Sequence, residues 1–153
     1  MFQKNLIVLP DELFSDKGEV IHYLAHLEND KVTDQDLYEQ DVKARESVIP
    51  TYVGYGIGLP HARTRGVKEA FVVYARLKKE VAWGDQEEEK ANQVFLIGVP
   101  EKNDSDQTSS NLHLRILAML SRKLVHEEFR TRLAEARNAE EIYNVLKEIE
   151  EDQ

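Results

Sequence analysis

The sequence predicts an α/β fold, in which a single mixed β-sheet is flanked by helices on both faces. Two short apolar runs rich in β-branched residues, at 70–77 and 93–100, have the length and composition of buried strands. In several other segments, apolar residues recur at helical spacing. A chain of 153 residues, 41% of them hydrophobic, is long enough for one core, so we expect residues 1–153 to form a single domain.

Two helices are predicted before the first of these strands. Ser15 is a candidate N-cap for a helix that ends near Asn29, with an apolar face of Val20, Ile21, Leu24, Ala25 and Leu27. Thr33 opens a second helix over 34–46. Arg45 lies near the C-terminal end of this helix, where a cation complements the helix dipole.

Residues 51–60 are predicted to be extended. Pro50 ends the preceding helix, and the segment combines strand-forming Tyr, Val and Ile with three alternating glycines: Gly54, Gly56 and Gly58.

The C-terminal third is predicted to contain a long loop and two amphipathic helices, with a further amphipathic stretch, HEEFRTRL, that begins at His126 between them. The polar segment 101–111 is expected to be the most mobile part of the chain, and Ser109 or Ser110 can cap the next helix. Its apolar stripe is expected to pack on the sheet: Leu112, Ile116, Leu117, Met119, Leu120 and Leu124. Asn138 and Glu141 fit a capping box for the last helix.

Composition excludes several classes of function. The chain has no cysteine, and its net charge of −9 argues against nucleic acid as a partner. We find no signal peptide or membrane-spanning run, and we expect a soluble, cytoplasmic protein. Positive charge is concentrated at 61–79, which is either a solvated face or part of a site: Arg63, Arg65, Lys68, Arg76, Lys78 and Lys79.

Three of the five histidines are weak candidates for chemistry. His22 and His26 are four residues apart on a helix and could share a metal ion, but their HYLAH stretch lacks the glutamate of the HExxH motif. Surface positions are the favoured interpretation. His126 is expected to be an exposed residue at a helix start.

His61 and His113 are stronger candidates. His61 follows the glycines in GYGIGLPHAR, where Pro60 restricts the backbone and gives the imidazole a stiff mount, although a plain surface histidine is the alternative. The segment matches neither a P-loop nor a dinucleotide-binding fingerprint. His113, in SSNLHLRIL, falls in the first turn of a helix, which favours a neutral ring and can hold an anion. The alternative interpretation is that His113 is a polar residue at the rim of the apolar stripe of this helix.

Several motifs together resemble the mannitol/fructose class of enzyme IIA (EIIA) domains of the bacterial sugar phosphotransferase system. They are KARESV with Arg45, GIGLPHAR with His61 sixteen residues later, VAWGD, FLIGVP, and NLHLRIL with His113. The resemblance covers nearly the whole chain.

The resemblance implies that His61 accepts a phosphoryl group from the phosphocarrier HPr and passes it to an enzyme IIB (EIIB) domain. It makes His113 the second active-site histidine and Arg45 the arginine of the site. No metal or other cofactor is required. We expect a shallow exposed depression, with glycines that admit a partner's backbone and a proline that holds the imidazole outward.

The resemblance also implies the partners. EIIB domains of this class use a cysteine as acceptor, so EIIB is expected on a separate chain, and association with a membrane IIC component is expected to be indirect. A regulatory nitrogen-type EIIA phosphoprotein is the alternative. A histidine-based metal hydrolase is disfavoured, because no cluster in the sequence has adequate ligand spacing.

Overall fold

The computed structural model describes residues 1–101 and 112–151 and confirms the predicted class, a mixed six-stranded sheet with helices on both faces. In chain order the elements are β1 (Phe2–Val8), α1 (Lys17–Ala25), α2 (Gln35–Val48), β2 (Tyr52–Gly54), β3 (Ile57–Gly58), β4 (His61–Thr64), β5 (Phe71–Ala82), β6 (Lys90–Pro100), α3 (Leu112–Leu124), α4 (Glu127–Glu135) and α5 (Ala139–Glu151).

The sheet has the strand order β1-β5-β6-β3-β2, and β4 also pairs with β6. Strand β5 runs parallel to β1 and antiparallel to β6. Both β3 and β4 run parallel to β6, next to each other along the same strand. Strand β6 therefore aligns the whole segment 57–64, which leads into and includes His61.

Alternate residues of the central strands contribute to two separate cores. On one face, Val72 and Tyr74 of β5 pack with residues of α3, α4 and α5. On the other face, Phe71 and Val73 pack with residues of α1 and α2. This period of two is what a strand covered on both faces requires.

The first two helices differ slightly from the sequence prediction. Asp16, not Ser15, is the N-cap of α1, because its carboxylate accepts a hydrogen bond from Glu19 N at 2.9 Å. Helix α1 ends at Ala25, four residues before the predicted end. Helix α2 begins after Asp34, whose side chain caps Leu37 N, and continues to Val48.

The strands are longer than the apolar runs that predicted them, and two strands were not predicted. Strands β5 and β6 extend to Ala82 and back to Lys90, because paired neighbours continue the ladder through polar residues. Residues Phe2–Val8 form β1, and His61 begins β4.

In the C-terminal region, the stripe of α3 packs on the sheet as predicted. Glu141 N donates to Asn138 Oδ1 at 2.9 Å, which confirms the cap of α5. The candidate caps Ser109 and Ser110, and nearly all of the predicted loop 101–111, lie outside the described residues. Within the described ranges, no helix has the length and apolar character needed to span a bilayer.

Candidate functional site

His61 is positioned by an interruption in the strand that runs along β6. Residues 57–58 pair with β6, Leu59 and Pro60 interrupt the strand, and pairing resumes with His61 opposite Ile97. Across the interruption Ile97 N still donates to Pro60 O at 3.0 Å, so the backbone next to the imidazole is fixed on both sides.

The glycines before His61 serve this chain's own turn and packing. Gly54 and Gly56 have φ of +94° and +74°, values that turn β2 into β3 and that other residues rarely adopt. At Gly58 a Cβ would lie 2.5 Å from the Trp83 ring. Local geometry and packing therefore explain why Gly56 and Gly58 are glycines. The expected explanation was that they admit a partner's backbone.

A series of hydrogen bonds connects the end of α2 to the His61 ring. The buried Glu46 carboxylate accepts from Thr51 N at 2.7 Å and from Thr51 Oγ1 at 2.5 Å. Thr51 O accepts from Leu59 N at 2.8 Å, and Leu59 O lies 2.9 Å from His61 Nδ1. The orientation of the imidazole is thus linked to a helix that begins 26 residues earlier in the chain.

The His61 ring is more buried than predicted. Only 7% of the residue is exposed, so Pro60 does not hold the ring outward into solvent. Burial lowers the pKa of His61, and the positive charge of Arg45 adds to this, against the opposing effects of the Leu59 hydrogen bond and the Glu46 charge. Because a carbonyl oxygen can only accept, Nδ1 carries the proton of the neutral ring, and Nε2 keeps its lone pair.

His113 lies beside His61, in the first turn of α3 as predicted. The ring centroids are 6.3 Å apart, and the ring planes differ by 25°. Burial lowers the pKa of His113, and the positive charges of Arg63 and Arg45 act in the same direction. His113 Nδ1 is buried and has no hydrogen-bond partner among the described residues.

The structure brings all three predicted site residues to one depression of about 380 Å³ at the β4 edge of the sheet. Its lining consists of Asp41, Arg45, His61, Ala62, Arg63 and His113. Arg45 Nη1 also donates to Ile49 O at 3.0 Å, which anchors the guanidinium at the end of α2. A larger cavity of about 990 Å³ lies along α3, but no histidine lines it.

Sequence reasoning did not assign Arg63 or Asp41 to the site. Arg63 is two residues after His61 on the same strand, and this spacing places both side chains on one face. Asp41 Oδ2 accepts from Thr64 Oγ1 at 2.6 Å, which holds α2 against β4. The period of two could have identified Arg63, whereas Asp41 depends on how a helix packs on a strand.

Other residues of the basic segment 61–79 have different roles. Arg76 donates to Leu133 O and Ala136 O at the end of α4, at 2.7 and 2.6 Å. Arg65 pairs with Glu101, and Lys78 pairs with Asp11. Three of the six basic residues of this segment thus bind partners away from His61.

The other three histidines lie outside the depression. His126 is the N-cap residue of α4 and makes no side-chain capping bond there, as expected for a residue at a helix start. His22 is exposed, as predicted, and His26 is half-buried, but Glu39 of α2, which the sequence did not indicate, lies within hydrogen-bond distance of both rings. Burial opposes ionisation of Glu39, but hydrogen bonds from Lys43, His22 and His26 lower its pKa to about 2. The expectation that no cluster has suitable ligand spacing is therefore wrong, because three potential ligand atoms lie within 4.8 Å of one another.

Comparisons with known proteins show the family to which this chain belongs. The model of the family described as "Phosphoenolpyruvate-dependent sugar phosphotransferase system, EIIA 2" matches residues 1–149. The fructose-specific EIIA component of Haloferax volcanii is 35% identical over 88% of this chain and 85% of its own length. A fructose-like EIIA component of Escherichia coli is 32% identical over 67% of this chain and 66% of its own length. This chain also matches multiphosphoryl transfer protein 2 of Escherichia coli, at 33% identity over 71% of this chain, but it covers only 12% of that longer protein.

Solved structures share the fold at lower identity. The Escherichia coli mannitol EIIA, in its complex with phosphorylated mannitol EIIB, matches with a TM-score of 0.77 and 23% identity over 95% of this chain and 98% of that one. The nitrogen regulatory protein IIA-Ntr of Neisseria meningitidis matches with a TM-score of 0.76 and 22% identity over 95% of both chains. These likenesses establish the fold, which transport and regulatory proteins share.

The family match and the relatives place the chain among the phosphotransferases that work through a phosphohistidine intermediate. Within this class, the chain belongs to the EIIA type 2 family of phosphoenolpyruvate-dependent sugar phosphotransferase systems. It is a phosphoryl-transfer subunit of such a system, and the regulatory alternative is not favoured.

Proposed function

We propose that His61 is the residue that carries the phosphoryl group and that its Nε2 is the nucleophile. The observation that supports this most strongly is the hydrogen bond from Nδ1 to Leu59 O, which leaves Nε2 as the nitrogen with a free lone pair. The lowered pKa of His61 keeps that lone pair available near neutral pH.

In the proposed transfer, a P–Nε2 bond forms on His61 as the bond between phosphorus and the donor breaks. The second transfer reverses these roles, so His61 Nε2 becomes the leaving group and recovers its lone pair. Because phosphoryl transfer depends mainly on alignment and charge neutralisation, a rigidly held imidazole provides much of what the reaction needs.

Arg45 and His113 stabilise the negative charge of the phosphoryl oxygens in this proposal. Arg45 has a forked set of N–H donors and lines the depression with His61. A neutral His113 ring carries one N–H and can donate it to a phosphoryl oxygen. Arg63 adds positive charge to the same depression.

We propose HPr as the donor and an EIIB component outside these 153 residues as the acceptor. The Escherichia coli mannitol EIIA, which shares this fold, has been solved in complex with its phosphorylated EIIB. Association with a membrane IIC component would then be indirect, through EIIB. The cytoplasmic location and the single EIIA-type domain over 1–153 remain predictions.

Peptide mapping by mass spectrometry after incubation with phosphorylated HPr tests the proposal. We expect one phosphoryl group per chain, on His61, and no label in His61→Gln. His113→Ala should still be labelled on His61, at a lower rate, because it lacks one donor to the phosphoryl oxygens. His126→Ala is the matched control and should be labelled like the wild type. Label on another residue in the wild-type chain would overturn the proposal.

A further inference from the structure

A second histidine cluster lies between α1 and α2 and has no part in the proposed phosphoryl transfer. His22 Nδ1 and His26 Nε2 are 2.7 and 2.8 Å from the same oxygen, Glu39 Oε1. The two imidazole centroids are 4.4 Å apart. Two rings and one carboxylate thus direct their donor atoms toward a common point.

The backbone places these groups without any special turn. His22 and His26 are four residues apart, so they lie on the same face of α1. Glu39 comes from the facing helix α2, and Lys43 Nζ contacts its other oxygen, Oε2, at 2.6 Å. This contact leaves Oε1 for the two histidines.

We propose that His22, His26 and Glu39 bind a divalent transition-metal ion and that Zn²⁺ fits the site best. The three ligand atoms lie within 4.8 Å of one another. Imidazole nitrogens together with a carboxylate oxygen are a common ligand set for Zn²⁺ and are unsuited to Mg²⁺ or Ca²⁺, which prefer oxygen ligands.

Asp36 can complete a tetrahedral set of two nitrogens and two oxygens. It lies three residues before Glu39 on α2, and its Oδ1 is 3.5 Å from His26 Nε2. Its side chain is 94% exposed, so it can move toward an ion without losing buried contacts. The HExxH motif does not describe this arrangement, because Glu39 and Asp36 lie on a second helix, α2.

Metal binding requires the ligand atoms to move from their hydrogen-bonded positions. Around a tetrahedral Zn²⁺ with bonds of about 2.0 Å, neighbouring ligand atoms are about 3.3 Å apart, so Glu39 Oε1 must withdraw by roughly half an ångström. Each coordinating nitrogen must also be free of its proton. A neutral ring moves the proton to its other nitrogen, and a protonated ring releases it to solvent.

The ion would connect α1 to α2 as a structural clip. Helix α2 also carries Asp41, Arg45 and Glu46, so its attachment to α1 supports the helix that forms one wall of the depression. The inference concerns a separate site and stands whether or not His61 carries the phosphoryl group. We assign no hydrolytic activity to it.

Calorimetric titration of the chelator-treated chain with ZnCl₂ tests this site. We expect one Zn²⁺ per chain and a higher Tm with Zn²⁺ than with Mg²⁺, because an ion that binds only the folded state stabilises it. His22→Ala, His26→Ala and Glu39→Gln should each weaken binding at least about tenfold. His126→Ala should bind Zn²⁺ like the wild type. Circular dichroism checks that each variant is folded.

Zn²⁺ binding by the two histidines of the phosphoryl site is the competing explanation for any binding observed. The same titration distinguishes the two sites. If His61→Gln, and not the three variants of the α1–α2 cluster, abolished Zn²⁺ binding, the ion would lie in the depression and the proposal would fail. Absence of saturable Zn²⁺ binding by the wild-type chain would also overturn it.

Discussion

At the scale of single residues, the site depends on one hydrogen bond that determines which nitrogen of His61 is free. Leu59 O accepts from Nδ1, so the two ring nitrogens are inequivalent before any partner arrives. The proline and glycines made His61 a candidate and the family resemblance implied its role, but neither could distinguish the two nitrogens. That distinction requires the position of a carbonyl oxygen two residues away.

The pKa of His61 provides the first prediction at this scale. Burial and Arg45 lower it, so an NMR titration should give a midpoint below the value of about 6.5 for a free imidazole. The rate of phosphoryl acceptance should therefore fall at a lower pH than the ionisation of a free imidazole would predict. Because the unfolded chain is protonated first, His61 also lowers the free energy of unfolding as the pH falls from the unfolded pKa through the lower folded pKa.

Arg45→Met provides the control for this titration. Removing the guanidinium should raise the His61 midpoint, because one of the causes that lower the pKa is removed. Arg65→Met should leave the midpoint unchanged, since Arg65 pairs with Glu101 and does not line the depression. A wild-type midpoint at or above the free value would show that this description of the ring is wrong.

Arg45 should also matter for the rate of transfer. We expect Arg45→Gln to slow single-turnover transfer from phosphorylated HPr by a factor on the order of 10²–10³, the usual effect of losing a donor to developing charge. Arg45→Lys should recover only part of this loss, because a single ammonium cannot reproduce the forked donors. Wild-type rates in Arg45→Gln would exclude a role for Arg45, and Arg65→Gln serves as the control.

At the scale of secondary-structure elements, the site depends on how the end of α2 is connected to the segment before β4. Glu46 is the buried connection: it binds Thr51, and Lys17 Nζ lies 3.1 Å from its Oε2. The sequence showed Glu46 only as the neighbour of Arg45 in KARESV. Its burial could not be seen there, because a glutamate in an amphipathic helix is usually exposed.

We predict that Glu46→Gln destabilises the chain by about 1–3 kcal/mol, because the amide removes one acceptor and leaves a donor unpaired. The free energy of unfolding in denaturant measures this change. Glu140→Gln is the matched control and should have little effect, since Glu140 is exposed and its contact with Lys4 is 4.0 Å long. Equal stabilities for the two variants would contradict the structural role of Glu46.

At the scale of the whole molecule, the α/β class and the helices over most of their length could be predicted from periodicity and caps. The short strands β2, β3 and β4 could not be separated, because β6 pairs with two of them and the chain contains no signal for that arrangement. Arg45, His61 and His113 were predicted although they come from distant segments, but two carboxylates of α2 were missed. Asp41 at the depression and Glu39 beside His22 and His26 both come from α2, and only the packing of that helix brings them there.

At this scale, transfer between two partner proteins requires the phosphoryl group to be on Nε2 of His61. NMR of the chain labelled with ¹⁵N-histidine and phosphorylated by HPr observes this directly, through the coupling between phosphorus and the bonded nitrogen. We predict coupling to Nε2 of His61, with Nδ1 still protonated toward Leu59 O. Coupling to Nδ1 of His61, or to either nitrogen of His113, would contradict the account.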